Sequence, residues 1–185
     1  MQLGNDIVDL KIDTEIHPRF LQRILHPEEW ERYPGIEKDP LLVWTIWAAK
    51  ESAFKAYRQS NRRFFIPSRW NVDLQNASVQ FETQRWLLNV VKSEEAVLAT
   101  SVSNPMPFVS ELRSGEKELS PREQSEMART VLRELLDRHA ADAIYHKDET
   151  GVPRLQLDGK ALPFSMSHHG RHVHVCLALP ESLLH

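Results

Sequence analysis

The 185 residues carry 23 Lys+Arg against 26 Asp+Glu, a net charge of -3, which excludes a large multidomain enzyme and removes the broad positive field of a small nucleic-acid binder. A single cysteine, Cys176, leaves no intrachain disulfide framework and no cysteine cage for zinc, and no apolar run approaches the roughly 18 residues of a membrane span. The first ten residues, with Asp6 and Asp9 among them, do not read as a signal peptide, so the expected location is the cytoplasm and the expected state a globule whose core the 41% hydrophobic content fills.

The opening run from Leu3 to Leu10 is apolar apart from Asn5, Asp6 and Asp9, and reads as a buried strand. After His17-Pro18, the spacing of Phe20, Leu21, Ile24 and Leu25 predicts one amphipathic helix over 19–33, with Arg19 and Arg23 off its apolar stripe. Pro34-Gly35 and Pro40 punctuate the chain, and 41–58 predicts a longer, central helix carrying Trp44, Ile46, Trp47 and Phe54. From Trp70 the pattern alternates, predicting an antiparallel meander with strands near 70–74, 77–81, 86–91 and 96–102. Asn104-Pro105-Met106-Pro107 closes it, and the polar stretch 110–118 reads as a boundary between two halves. Ser120-Pro121-Arg122-Glu123 is a capping box with Pro at the first helical position, opening a helix to about Arg138 whose inward face is Met127, Val131, Leu132 and Leu135. Gly151-Val152-Pro153, Asp158-Gly159 and the alternating run His172 to Leu179 predict a turn and short strands. The fold class is therefore α+β, with two helix-plus-antiparallel-sheet halves over 1–108 and 119–185.

Three clusters bear on chemistry. Asp6, flanked by Ile7 in a strand, is desolvated, which is tolerable in a strand-end cap, in an ion pair or against a bound cation. Glu51 and Lys55 stand at i,i+4 on one helical face within Trp47-Ala48-Ala49-Lys50-Glu51-Ser52-Ala53-Phe54-Lys55. A solvent-facing ion pair is the ordinary reading of such spacing; the apolar flanks weaken it, and a carboxylate and an ammonium pointing the same way from a mostly buried helix are also able to hold a metal ion and a phosphate together. Ser167 and His168, in Phe164-Ser165-Met166-Ser167-His168-His169, are candidate donors to phosphate oxygens, while His172 and His174 share a strand face and with His168 would mimic a zinc site. Satisfied or solvated histidines are the commoner state.

Together these clusters resemble the 4'-phosphopantetheinyl transferase superfamily. Gly4-Asn5-Asp6-Ile7-Val8-Asp9-Leu10, Arg19 to Leu25, and Trp47 to Lys55 are similar, in the same order, to the opening of holo-acyl-carrier-protein synthase, and the WxxKExxxK pattern is the most specific part. From Ser120 onward, the helix, Gly151-x-Pro153 and Ser-x-Ser-His at 165–168 resemble instead the amino-terminal half of the surfactin-type transferases. Those longer enzymes carry the two halves in the opposite order, so the resemblance implies a pseudodimer with its halves swapped. A short-type, trimer-forming synthase with an enlarged middle is the alternative. Three positions depart from the pattern: Val8 stands where the surfactin type has a second acidic residue, Asn5 replaces an apolar residue, and Val152 sits where a Lys is frequent.

The resemblance implies transfer of phosphopantetheine from coenzyme A to a serine of an apo acyl or peptidyl carrier protein, with release of adenosine 3',5'-bisphosphate. Mg²⁺ would rest on Asp6 and Glu51, phosphate oxygens and water. Lys55 and His168 would be donors in catalysis, and Glu51 a candidate acceptor of the serine proton. Lys55, Arg122, Ser125, Gly151, Pro153, Ser167 and His168 would bind coenzyme A, with Arg122 and Ser125 meeting the 3'-phosphate at a helix start. Arg19 and Arg23, joined by Arg58, Arg62 and Arg63, would dock the acidic carrier. No membrane or nucleic-acid partner is expected, and the expected state is a monomer. The rival readings are a non-catalytic carrier-protein or coenzyme A-binding module of the same fold, and a His-rich metal-binding protein.

Overall fold

A computed structural model describes residues 1–12, 15–61, 64–149 and 152–179. The chain begins with strand β1 (Leu3–Asp9), followed by helices α1 (Pro18–Ile24) and α2 (Pro27–Arg32), a short 3-10 turn (Ile36–Lys38) and the long helix α3 (Pro40–Arg58). A second 3-10 turn (Pro67–Arg69) leads into β2 (Asn71–Asp73), β3 (Ser78–Phe81), β4 (Gln84–Lys92) and β5 (Ala96–Val102). Then come β6 (Phe108–Ser114), α4 (Pro121–His139), β7 (Ile144–Lys147), β8 (Pro153–Leu157), β9 (Lys160–Ala161), β10 (Phe164–His169) and β11 (His172–Ala178). All strand pairings are antiparallel. The α+β class expected from the sequence is the observed one. Among the described residues no helix is long and apolar enough to cross a membrane.

Two expectations change. The single helix over 19–33 is two helices, because Pro27 has no N–H to donate and its ring disfavours helical backbone at His26. His26 instead caps α2, and the Glu29 carboxylate closes the box by accepting the His26 N–H at 2.8 Å. The polar stretch 110–118 is also not simply a boundary, since the second sheet already begins with β6 at Phe108. Its polar side chains pair across that strand and α4, with Arg113 bridging Glu111 and Glu134.

β1 to β5 form one sheet in the order β1-β5-β4-β3-β2. On one face lies α3, whose Val43, Ile46, Phe54 and Tyr57 are buried against Trp70, Val79, Trp86 and Val97. Trp70 stacks on Phe81 with ring centroids 4.4 Å apart. β10, β11 and β6 form a second sheet in that order, packed on α4 through Val131, Leu132, Leu135, Val173, Val175 and Leu177. The connectivity repeats: in both sheets the first strand pairs with the last, and the last with the one before it. A small third sheet, β7-β8-β9, follows α4.

β1 is where the two sheets meet, and all seven of its residues are buried. Its even-numbered side chains turn to α3. Gly4 is the close contact there, for a Cβ at this position would lie 2.0 Å from the Ser52 carbonyl oxygen and 2.4 Å from the Ala56 nitrogen. Its odd-numbered side chains face β11, where Leu3 packs with Val102, Cys176 and Ala178, and Asn5 Nδ2 donates to the His174 carbonyl at 2.8 Å.

Replacing Gly4 with Ala should therefore destabilise the protein by about 3 kcal/mol, since backbone rather than a flexible side chain must give way. A lower urea midpoint at unchanged slope is the expected reading. Burial holds His174 far below the ordinary imidazole value, at about 4, so it folds as the neutral ring. Stability attributable to it is present above the unfolded value of 6.5 and falls as pH drops toward 4, by about 3 kcal/mol in all. Glu51, raised to about 7, runs the other way, so the wild type must be compared with His174→Gln, which should lack this fall. Equal acid sensitivity of the two proteins would contradict it.

Candidate active site

Because α3 lies close against Gly4, the Asp6 carboxylate on β1 and the Lys55 ammonium on α3 meet at 2.7 Å. Glu51 is one turn earlier on the same face of α3, and among the described residues no hydrogen bond or ion pair engages its carboxylate. Burial raises the pKa of Asp6, opposed by the charge and hydrogen bond of Lys55. Glu51 is pushed up to about 7, first by burial and then by the negative charge of Asp6, again against Lys55. One ammonium thus pairs with Asp6 while Glu51 stays unpaired among the described residues and repelled by Asp6, an arrangement that a further cation would relieve.

Lys50 takes the opposite direction from its neighbour Glu51. Its ammonium is fully buried, 2.6 Å from Glu29 Oε2, and it also donates to the carbonyls of Ile24 at 2.5 Å and Pro67 at 3.2 Å. Glu29 Oε1 accepts the Val72 N–H at 2.7 Å, so the pair ties α1, α2 and β2 to α3. Lys50 is a structural member of the WxxKExxxK pattern.

β10 supplies the facing wall. Its alternation sends Phe164, Met166 and His168 one way and Ser165, Ser167 and His169 the other. His168 is exposed, and its pKa is lowered by burial of part of the ring and by the Lys55 charge, while Asp6 raises it. Ser167 is turned inward and donates to the His174 carbonyl at 3.4 Å, instead of presenting its hydroxyl to solvent. The zinc trio does not form: His168 pairs with Val173 in register, on the opposite strand face from His172 and His174. His172 Nδ1 is 2.7 Å from Ser114 Oγ, and His174 Nε2 is 3.5 Å from Cys176 Sγ. Among the described residues no group of three or more His, Cys, Asp and Glu side chains is arranged around a metal position.

A cavity of about 410 Å³ begins at Lys55 and is lined by Arg58, Gln59, Val152, Pro153, Phe164, Ser165 and Met166. It adjoins a second of about 550 Å³, which shares Arg58, Gln59 and Val152 and continues past Phe54, Phe64, Phe65, Asp148 and Arg154. Pro153 therefore stands on the cleft, whereas Gly151 lies outside the described residues, as do Arg62 and Arg63. Gln59 and Arg154 were missed. Gln59 was accessible by periodicity, as the i+8 member of the face bearing Glu51 and Lys55. Arg154 follows Pro153, pairs with Asp148 at 2.9 Å and donates to the Gln59 carbonyl at 2.8 Å.

Arg122 and Ser125 sit in the first turns of α4. Arg122 is exposed and pairs with Glu126 at 2.8 Å. Among the described residues no hydrogen bond or ion pair links either to Asp6, Glu51 or Lys55. Arg19 and Arg23 are exposed on α1.

Residues 2–101, which hold β1, α3 and the whole of the Asp6–Glu51–Lys55 group, match the model of the 4'-phosphopantetheinyl transferase superfamily. That is more than half of the chain, and the protein belongs to this superfamily. No curated protein and no solved structure matches the chain.

Removing the Lys50 ammonium leaves Glu29 charged in the interior. Lys50→Ala is accordingly expected to cost roughly 3–5 kcal/mol in chemical denaturation. A loss below 1 kcal/mol would show that the pair does not hold the helices.

Proposed function

We propose that the protein transfers the 4'-phosphopantetheine group of coenzyme A to a serine hydroxyl of an apo acyl or peptidyl carrier protein, leaving adenosine 3',5'-bisphosphate. The observation that carries this reading is the Asp6–Lys55 ion pair, with Glu51 one turn earlier on the same helix and Lys55 on the wall of a cleft, all within the segment that matches the superfamily.

Asp6 and Glu51 suit Mg²⁺, being hard oxygen donors whose negative charges act on one another. A bound Mg²⁺ would neutralise charge on the pyrophosphate oxygens as the bridging bond breaks. Lys55 and His168 donate to phosphate oxygens from the two walls, and Pro153 shapes the cleft beside them. Glu51 also stands as acceptor of the serine proton, directly or through water. Arg122 and Ser125, where helix-end amides favour an anion, are the candidates for the 3'-phosphate. The exposed Arg19 and Arg23, with Arg58 near the cleft, offer positive charge to an acidic carrier. The repeated connectivity of the two sheets supports a swapped pseudodimer that works as a monomer, both walls coming from one chain.

The test is to incubate apo carrier proteins with coenzyme A, Mg²⁺ and this protein, and to follow the mass gain of a phosphopantetheine. Asp6→Ala and Glu51→Gln should each lower turnover by roughly 100-fold or more. Glu51→Gln should be at least as stable as the wild type, because it removes one of two repelling carboxylates. Near-normal turnover in both variants would overturn the assignment of the site.

A further inference from the structure

β10 lies beside β1 and runs in the same direction, yet among the described residues no main-chain hydrogen bonds join them. Side chains form the rungs. The Asn5 N–H donates to Ser165 Oγ at 3.0 Å, and the Asp9 N–H donates to His169 Nδ1 at 2.9 Å. At the other end, Gln59 Nε2 donates to the carbonyls of Leu3 at 2.6 Å and Phe164 at 3.0 Å. The rungs at Asn5 and Asp9 bracket Asp6, so they set where Asp6 stands relative to His168 across the seam.

The His169 rung is the more constrained of the two. Its Nδ1 must keep a lone pair to accept an amide proton, which places the ring proton on Nε2. The turn after it is clamped on the same residue: Asp9 Oδ2 accepts the Arg171 N–H at 3.2 Å, and a Cβ on Gly170 would come within 2.4 Å of that oxygen. Asp9 is buried, so its amide has no water to fall back on if the imidazole is lost.

We propose that His169 is a positioning residue: by accepting the Asp9 amide through Nδ1 it holds β10 in register with β1 and so fixes where His168 stands relative to Asp6. As a contribution to turnover this rests on the transferase reading, but the hydrogen bond itself does not.

Amide exchange at Asp9 and carrier modification would be measured for His169→Asn, His169→Gln and His169→Ala. Asn places an acceptor where Nδ1 was, and Gln and Ala do not. His169→Asn should keep Asp9 protection and turnover near wild type. The other two should exchange roughly tenfold faster at Asp9 and turn over roughly tenfold more slowly, with a smaller change in KM for coenzyme A. If His169→Ala does not fold, the Asn and Gln pair decides. Unchanged Asp9 exchange in His169→Gln would overturn the inference, and so would equal damage in the Asn and Gln variants. Absence of transfer by the wild type would overturn the proposed function alone, leaving the exchange data to judge His169.

Discussion

Everything in this structure turns on the burial of β1. A strand enclosed on both faces and both edges has no water for its amides, and each must find a partner in the protein. One edge is satisfied by the ladder to β5. On the other, the N–H groups of Leu3, Asn5 and Asp9 are accepted by Gln59, Ser165 and His169, which come from the end of α3 and from β10. The requirement for hydrogen bonds along one strand thus draws together the two elements between which the cleft opens.

The same strand explains why the site is charged as it is. Gly4 brings α3 close enough for Lys55 to reach Asp6, and the helical repeat then carries Glu51 to the same place. Within one turn of α3, Lys50 points into a fully buried pair with Glu29 while Glu51 lies on the face that carries Lys55, under the charge of Asp6. Adjacent residues of a helix are about 100° apart, so a short motif serves packing and chemistry at once. One member stabilises the helices that flank the cleft, and the other contributes to its electrostatics.

Much of this was legible in the sequence. The long apolar helix, the meander and the capping box at Ser120 all follow from periodicity and end signals, and the observed elements agree closely with them. Asp6, Glu51 and Lys55 were also readable, because charged residues in apolar surroundings stand out. The break at Pro27 was hidden by an apolar stripe that runs on across it. β6 was hidden because its side chains pair with α4, leaving a pattern of charges that looks like a linker. In the Ser-x-Ser-His run Ser167 reads as a ligand donor, whereas strand alternation buries it with its hydroxyl toward the His174 carbonyl and leaves His168 exposed. No single-residue signal distinguishes a serine that binds a phosphate from one that completes a buried strand edge.

The segment 103–107 joins β5 to β6 and carries two prolines, Pro105 and Pro107. A tether this short keeps the second sheet at a local concentration on the order of millimolar or above with respect to the first. Two separate chains meeting largely through polar side-chain contacts would need a broader apolar interface to remain together at cellular concentrations. A fused chain has no such requirement, and its contact surface is free to be rich in serine, histidine and asparagine. Covalent linkage thus relaxes the composition of the seam, and substitutions there are open to selection for the geometry of the cleft rather than for adhesion.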